Sequence, residues 1–262
     1  MEFYAATEGN TFLINVTGEK IGSVGRAPFD LSSNVLVKYD IANNEYIRDA
    51  NGFCILCDDD EPGMMLSRIS KFNPISRFDG YTDKSATSKK VIQNVFQTGD
   101  EFFVSGDFLR CDADGDYWFV DRLGDTFRWK GENVATTEVE AVANEFPGVE
   151  HSIAYGVEIP GTDGRAGMAA LTLKNIHEFD EVAFSRHLHE KLPTYAIPVF
   201  VRIREQEETT GTFKYRKVDL KKEHYDLNQI HEPIFVKLPQ KTHFVSLDTS
   251  LLKQIQQQSV RF

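Results

Sequence analysis

At 262 residues with 41% hydrophobic content, the chain is long enough to bury a substantial core and to form two domains. Its 29 Lys and Arg against 40 Asp and Glu leave a net charge of −11, which repels polyanions and argues against nucleic acid as a partner, although a local basic patch for one nucleotide stays open. Cys54, Cys57 and Cys111 without a secretory leader point to a reducing compartment, and with no apolar run near the ~20 residues of a membrane span, any membrane contact is expected to be peripheral.

From Val35 to Cys57 apolar and polar residues alternate around the turn-rich segments DIANNE and DANG, which predicts hairpins. Cys54 and Cys57 have CxxC spacing there, but a closed zinc site needs a second pair, so the two thiols are read as residues of a strand. Asp58-Asp59-Asp60-Glu61 lacks interleaved ligands and reads as a solvated loop tip. Residues 64–69, MMLSRI, predict a strand, and Lys89 to Phe96, KKVIQNVF, a short amphipathic helix stopped at Thr98-Gly99-Asp100.

A hairpin is predicted over 102–121, with its turn at Asp112-Ala113-Asp114-Gly115-Asp116. That turn fails the calcium-loop template, because Tyr117 stands where the loop glycine belongs and Leu123 where the closing Glu belongs. Phe127-Arg128-Trp129-Lys130 then mixes strand-favouring aromatics with cations, so it reads as a strand with one exposed face, followed by a glycine-centred loop, Lys130-Gly131-Glu132-Asn133.

Thr137 and Glu140 stand at capping-box spacing, and Val139, Val142, Ala143 and Phe146 recur on one helical face. Pro147 and Gly148 end that helix. Strands are expected around Ile153–Val157, over Met168–Leu173 and over Pro198–Ile203. Helices are expected from Asp180, through Phe184, Leu188 and Leu192, and at the C-terminus through Leu251, Leu252 and Ile255.

Four segments carry a more specific signal: Tyr4-Ala5-Ala6-Thr7-Glu8-Gly9, Ser105-Gly106-Asp107, Arg122 to Glu140 (RLGDTFRWKGENVATTEVE) and Thr210-Gly211-Thr212-Phe213-Lys214. With Tyr155 to Ala169, YGVEIPGTDGRAGMA, their order resembles the adenylate-forming, AMP-binding superfamily. The similarity is strongest to its fatty acid transport protein and very-long-chain acyl-CoA synthetase branch, and it covers the C-terminal portion of such an enzyme. The fold class it implies is α+β. Residues 1–123 would be a β-rich part of the large AMP-binding domain and residues 124–262 a small α+β lid, with a hinge at Gly124, whose backbone is unencumbered by a side chain.

Site residues follow from the same resemblance. Tyr4 resembles the aromatic on which adenine stacks and Thr7 the hydroxyl at the α-phosphate. Glu8 resembles the carboxylate that holds Mg²⁺, a hard ligand for a hard ion. Asp107 resembles the acceptor of both ribose hydroxyls, and Arg122 its partner at ribose and phosphate, where a planar guanidinium gives directed bonds. Lys214 resembles the lysine that spans carboxylate and α-phosphate during adenylation. Gly131 and Glu132 lie on the loop that lines the passage of CoA once the lid turns. The implied substrates and cofactors are a fatty acid, ATP (released as AMP), Mg²⁺ and coenzyme A.

The resemblance also implies a cytosolic-facing protein peripherally associated with the endoplasmic reticulum, peroxisome or plasma membrane, and it allows a homo-oligomer. The sequence departs from the pattern in three ways: Gly124 replaces the more usual Asp or Lys, Ala5 replaces a glycine, and no Ser/Thr/Gly-rich phosphate loop occurs in these residues. Two rival readings remain, a non-catalytic binding or regulatory protein derived from such a ligase, and a ligase of aryl or amino acids.

Overall fold

The computed structural model describes residues 1–6, 11–28, 34–41, 43–70, 78, 90–204 and 217–262. The chain divides into two compact units, Met1–Gly124 and Asp125–Phe262. The sequence places its boundary one residue earlier, before Gly124.

Among the described residues, the named elements of the first unit are all strands. β1 (Glu2–Ala5) and β2 (Phe12–Asn15) form an antiparallel ribbon. Gly25 crosses this ribbon at φ +78°, with so little room that a Cβ there would lie 2.0 Å from the Ile14 carbonyl oxygen. The main sheet contains β3 (Asn34–Val37), followed in the chain by the small hairpin β4 (Tyr39–Asp40) and β5 (Glu45–Tyr46). It continues with β6 (Gly63–Arg68), β7 (Val91–Gln93), β8 (Glu101–Cys111) and β9 (Tyr117–Arg122). The long β8 is central. β6, with β3 beyond it, flanks one side of β8, while β7 and β9 share the other, β7 opposite residues 101–103 and β9 opposite residues 107–111.

This arrangement corrects the helix expected over Lys89–Phe96. Val91 and Ile92 pair with Phe103 and Phe102 as strand residues, because two β-branched side chains beside two buried aromatics fit a pleated surface better than a helix. Asp100 then closes the turn, its carboxylate accepting from the backbone N–H groups of Val95 (2.6 Å), Phe96 (2.9 Å) and Gln97 (3.1 Å). Lys89 itself lies outside the described residues. The acidic turn at 112–116 is internally tied, with Asp112 Oδ1 accepting from the N–H groups of Asp114 and Asp116. The Lys20 ammonium pairs with the carboxylates of Asp112, Asp114 and Asp116.

The second unit begins with a hairpin, β10 (Phe127–Trp129) and β11 (Glu132–Val134), and then α1 (Thr136–Asn144). Its five-stranded sheet has the order β12 (Val149–Val157), β13 (Ala166–Leu173), β14 (Phe200–Arg204), β15 (Ile234–Val236), β16 (Val245–Ser246). Only the β13–β14 pair is parallel, and α2 (Glu181–Lys191) makes that crossover, capped by the Asp180 carboxylate on the N–H groups of Val182 and Ala183. α3 (Lys217–Glu223) and α4 (Thr249–Gln256) complete the unit. Fully buried Tyr155, Phe184, Phe200 and Phe244 sit in one continuous core.

Two expectations in this unit are corrected. α1 has the predicted buried stripe through Val139 and Ala143, but Thr137 lies inside the helix, preceded by Ala135 with no side-chain cap. Glu140 is drawn elsewhere: its carboxylate accepts from the Ala154 N–H at 2.9 Å and pairs with Lys217 at 2.9 Å. A tertiary partner has displaced the local one. The loop expected at Lys130-Gly131-Glu132-Asn133 is instead a two-residue turn with Glu132 and Asn133 in β11, paired with Trp129 and Arg128. Lys130 (φ +52°) and Gly131 (φ +88°) are both left-handed, as a type I′ hairpin turn requires.

Candidate functional site

In the first unit, three of the residues singled out from sequence meet. Tyr4 stands on β1, Asp107 on β8, and Arg122 at the end of β9 directly opposite Asp107 in the strand register. The Tyr4 hydroxyl donates to Asp107 Oδ2 at 2.7 Å, and Arg122 Nε lies 3.7 Å from Asp107 Oδ1. The carboxylate is largely sheltered, its side chain 19% exposed, whereas the Arg122 side chain is 66% exposed.

Local structure explains why Asp107 is there. β8 changes its outer partner from β7 to β9 between residues 103 and 107, and Gly106 takes φ +83° at that switch. The Ser105 hydroxyl accepts from the Asp107 N–H at 3.0 Å and donates to the Met65 carbonyl at 2.8 Å. Lys90, which the sequence reading did not single out, donates to the Ser105 carbonyl at 3.0 Å, with its ammonium 5.6 Å from the centre of the Phe103 ring. Buried Asp121 accepts from the Arg122 N–H at 2.9 Å. The cluster therefore rests on backbone that is held from several sides.

Chemically, the arrangement offers an acceptor next to an exposed directed donor. An ionised carboxylate has about four lone-pair sites, so the Tyr4 bond leaves capacity for two further hydroxyl donors, as in a vicinal diol. The Arg122 fork suits an anionic oxygen beside that diol. A nucleoside phosphate combines both groups.

In the second unit, Gly131 and Glu132 lie at the exposed end of the β10–β11 hairpin. A Cβ on Gly131 would meet no atom within 4 Å, so its left-handed φ, and not crowding within the fold, is the local reason for glycine. The hairpin is firmly seated. Gly156 and Gly167 face each other across β12 and β13, and Phe127 covers both: a Cβ at Gly156 would lie 2.7 Å from Phe127 Cβ, and one at Gly167 3.2 Å from Phe127 Cζ. Gly164 lies so close to Arg128 that a Cβ would stand 2.4 Å from its carbonyl oxygen, which also accepts from the Arg165 N–H at 2.7 Å. The glycines of YGVEIPGTDGRAGMA thus give the aromatic strand its seat.

Thr7, Glu8 and Lys214, with the rest of the Thr210–Lys214 motif, lie outside the described residues. So does the proposed Mg²⁺ ligand, therefore, and among the described residues no group of three His, Cys, Asp or Glu side chains is placed to hold a metal.

The model of the AMP-binding enzyme C-terminal domain matches residues 138–214. The chain is 46% identical over 235 residues to the medium/long-chain-fatty-acid–CoA ligase FadD6 of Mycobacterium tuberculosis, covering 90% of this chain and 38% of that protein. It is 42% identical over 264 residues to long-chain fatty acid transport protein 6 of Mus musculus, covering 99% of this chain and 42% of that protein. The chain thus spans about two fifths of the length of these curated relatives. Among solved structures, ATP-bound MatB from Rhodopseudomonas palustris matches with a TM-score of 0.63 at 22% identity, over 86% of this chain and 40% of that one. The AMP complex of o-succinylbenzoate CoA synthetase (MenE) from Bacillus subtilis matches with a TM-score of 0.61 at 22% identity, over 86% and 40%. At that identity the likeness is one of fold.

Proposed function

We propose that this chain, which belongs to the AMP-binding, adenylate-forming superfamily and is related to its fatty-acid–CoA ligases and transport proteins, supplies the ribose-binding edge and the lid of a long- or very-long-chain fatty acid:CoA ligase. The observation that carries the reading is the Tyr4–Asp107–Arg122 cluster, an acceptor for a diol beside a donor for an anion, built on three strands of one unit. In this reading residues 1–123 belong to the large domain, residues 124–262 form the lid, and Gly124 is the hinge.

The reaction has two steps. A fatty acid carboxylate attacks the α-phosphorus of ATP and expels pyrophosphate, giving acyl-adenylate; the CoA thiol then attacks the acyl carbonyl and expels AMP. Asp107 and Arg122 hold the nucleotide through both steps, with Tyr4 beside the base and its hydroxyl steadying the Asp107 carboxylate. Thr7 meets the α-phosphate. Lys214 offsets the charge that shifts as pyrophosphate leaves, which a positioned cation does well in a site closed to water. Glu8 would hold Mg²⁺, which neutralises phosphate oxygens when bound. Gly131 and Glu132 flank the route of the CoA thiol after the lid turns.

Peripheral attachment to the cytosolic face of the endoplasmic reticulum, peroxisome or plasma membrane belongs to the same proposal; no helix among the described residues is long and apolar enough to cross a membrane. The test is pyrophosphate exchange into ATP, followed by acyl-CoA formation, in the full-length protein containing these residues. Exchange that depends on long-chain fatty acids is expected. Exchange driven by aryl or amino acids instead, or nucleotide binding with no exchange, would replace this reading with one of its rivals.

A further inference from the structure

The second unit opens with a charged cluster that none of the roles above uses. Asp125, its first residue and the one after Gly124, has its two carboxylate oxygens directed to two lysines of α3: Oδ2 lies 3.6 Å from Lys217 Nζ, and Oδ1 accepts from Lys221 Nζ at 3.3 Å. Lys217 also donates to Thr136 Oγ1 at 2.8 Å and pairs with Glu140 Oε1 at 2.9 Å. These four charged side chains are 20–26% exposed.

The geometry is that of a clamp. Lys217 and Lys221 stand one turn apart on α3, so one carboxylate reaches both. α3 has seven residues, too few to persist as a helix by itself, and it is held by buried Leu220 and by these contacts. Lys217 is three residues beyond Lys214 in the sequence. The residue following the proposed hinge is therefore tied to the helix that begins just after the proposed adenylation lysine.

We propose that Asp125 is a positioning residue, which anchors α3 through Lys217 and Lys221 and thereby supports the adenylation step assigned above to Lys214, three residues before α3 in the sequence. The inference rests on the reading above, in which Lys214 serves adenylation and the lid turns at Gly124. Asp125 touches no substrate in this account. Its effect is confined to the step that needs Lys214.

The test compares Asp125→Asn, which keeps the shape and removes the charge, with Asp125→Glu, in the full-length protein. The two half-reactions are measured separately. Two partly exposed ion pairs predict a three- to tenfold slower adenylation in Asp125→Asn, roughly what such pairs support. Conversion of pre-formed acyl-adenylate should stay within about twofold of wild type, and Asp125→Glu should restore most of the adenylation rate. In the 262-residue chain, hydrogen exchange over 217–223 should quicken in Asp125→Asn and not in Asp125→Glu. Equal slowing of both half-reactions marks a merely structural contact, and no change in either removes the role. A wild-type protein that forms no acyl-adenylate overturns the underlying reading instead, so the two failures are distinct.

Discussion

The Tyr4 hydroxyl donates to Asp107 Oδ2 at 2.7 Å, joining residues 103 positions apart in the sequence. In the proposed function the ring and the hydroxyl of Tyr4 would have separable tasks, one beside the base and one on the carboxylate. Asp107→Ala should weaken AMP binding by about 10- to 100-fold, the loss of hydrogen bonds to a charged acceptor. Tyr4→Phe should cost about two- to tenfold, and Tyr4→Ala more, because stacking is lost as well. Calorimetric titration of AMP into the three variants of the full-length protein checks the order; unchanged affinity in Asp107→Ala would return this residue to an ordinary strand position.

The seat beneath Phe127 makes a prediction about stability. Gly156→Ala should destabilise the second unit by about 1–3 kcal/mol, since the added methyl group meets Phe127 Cβ at 2.7 Å. Gly167→Ala meets the ring tip, so its cost should shrink by about 0.5–1 kcal/mol in a Phe127→Leu background. Denaturant midpoints of the single and double variants give the coupling. Strict additivity would mean that the ring does not rest on Gly167.

Burial pushes the Cys57 thiol from 9.0 up to about 12, with the negative charge of Glu61 adding to the effect. The folded state therefore favours the protonated thiol. Below about pH 9 both folded and unfolded forms hold the proton and this group confers no pH dependence; between pH 9 and 12 the unfolded form ionises first and stability falls. Urea midpoints between pH 8 and 11 should decline less steeply in Cys57→Ala. Iodoacetamide should label Cys57 at pH 8.5 at least ~100-fold more slowly than an open thiol, because the thiolate is the reactive form. Labelling at the open rate would contradict the burial.

Long strands and amphipathic helices were legible in the sequence because their signal is local: a strand stands at Gly63–Arg68 where 64–69 is expected, and the helix expected from Asp180 runs over Glu181–Lys191 and buries Phe184 and Leu188. The segment around Val91 was not, since the same apolar spacing suits a helix and a strand followed by a turn, and Phe102 and Phe103 of β8 decide between them. Thr137 and Glu140 likewise have capping spacing, but Ala154 and Lys217, neither of them local, take the carboxylate. The short strands β15 and β16 and the helix α3 were missed for want of length. Tyr4, Asp107 and Arg122 were found through family resemblance, and their meeting in space is what the structure adds. Lys90 lies in no motif, and Asp125, though inside the Arg122–Glu140 segment, has no role assigned there; contact distances reveal both.

The central claim is that one lid serves two chemical steps with two different parts, Lys214 for adenylation and the Gly131 turn for thioester formation. The direct measurement is to run both half-reactions on Lys214→Ala and Gly131→Leu in the full-length protein, with Gly131→Asn as the control that tolerates the left-handed φ without the bulk. Lys214→Ala should slow adenylation about 10²–10³-fold and leave conversion of pre-formed acyl-adenylate largely intact. Gly131→Leu should block thioester formation and spare adenylation, with Gly131→Asn near wild type in both. Equal slowing of the two steps by each substitution would contradict the claim.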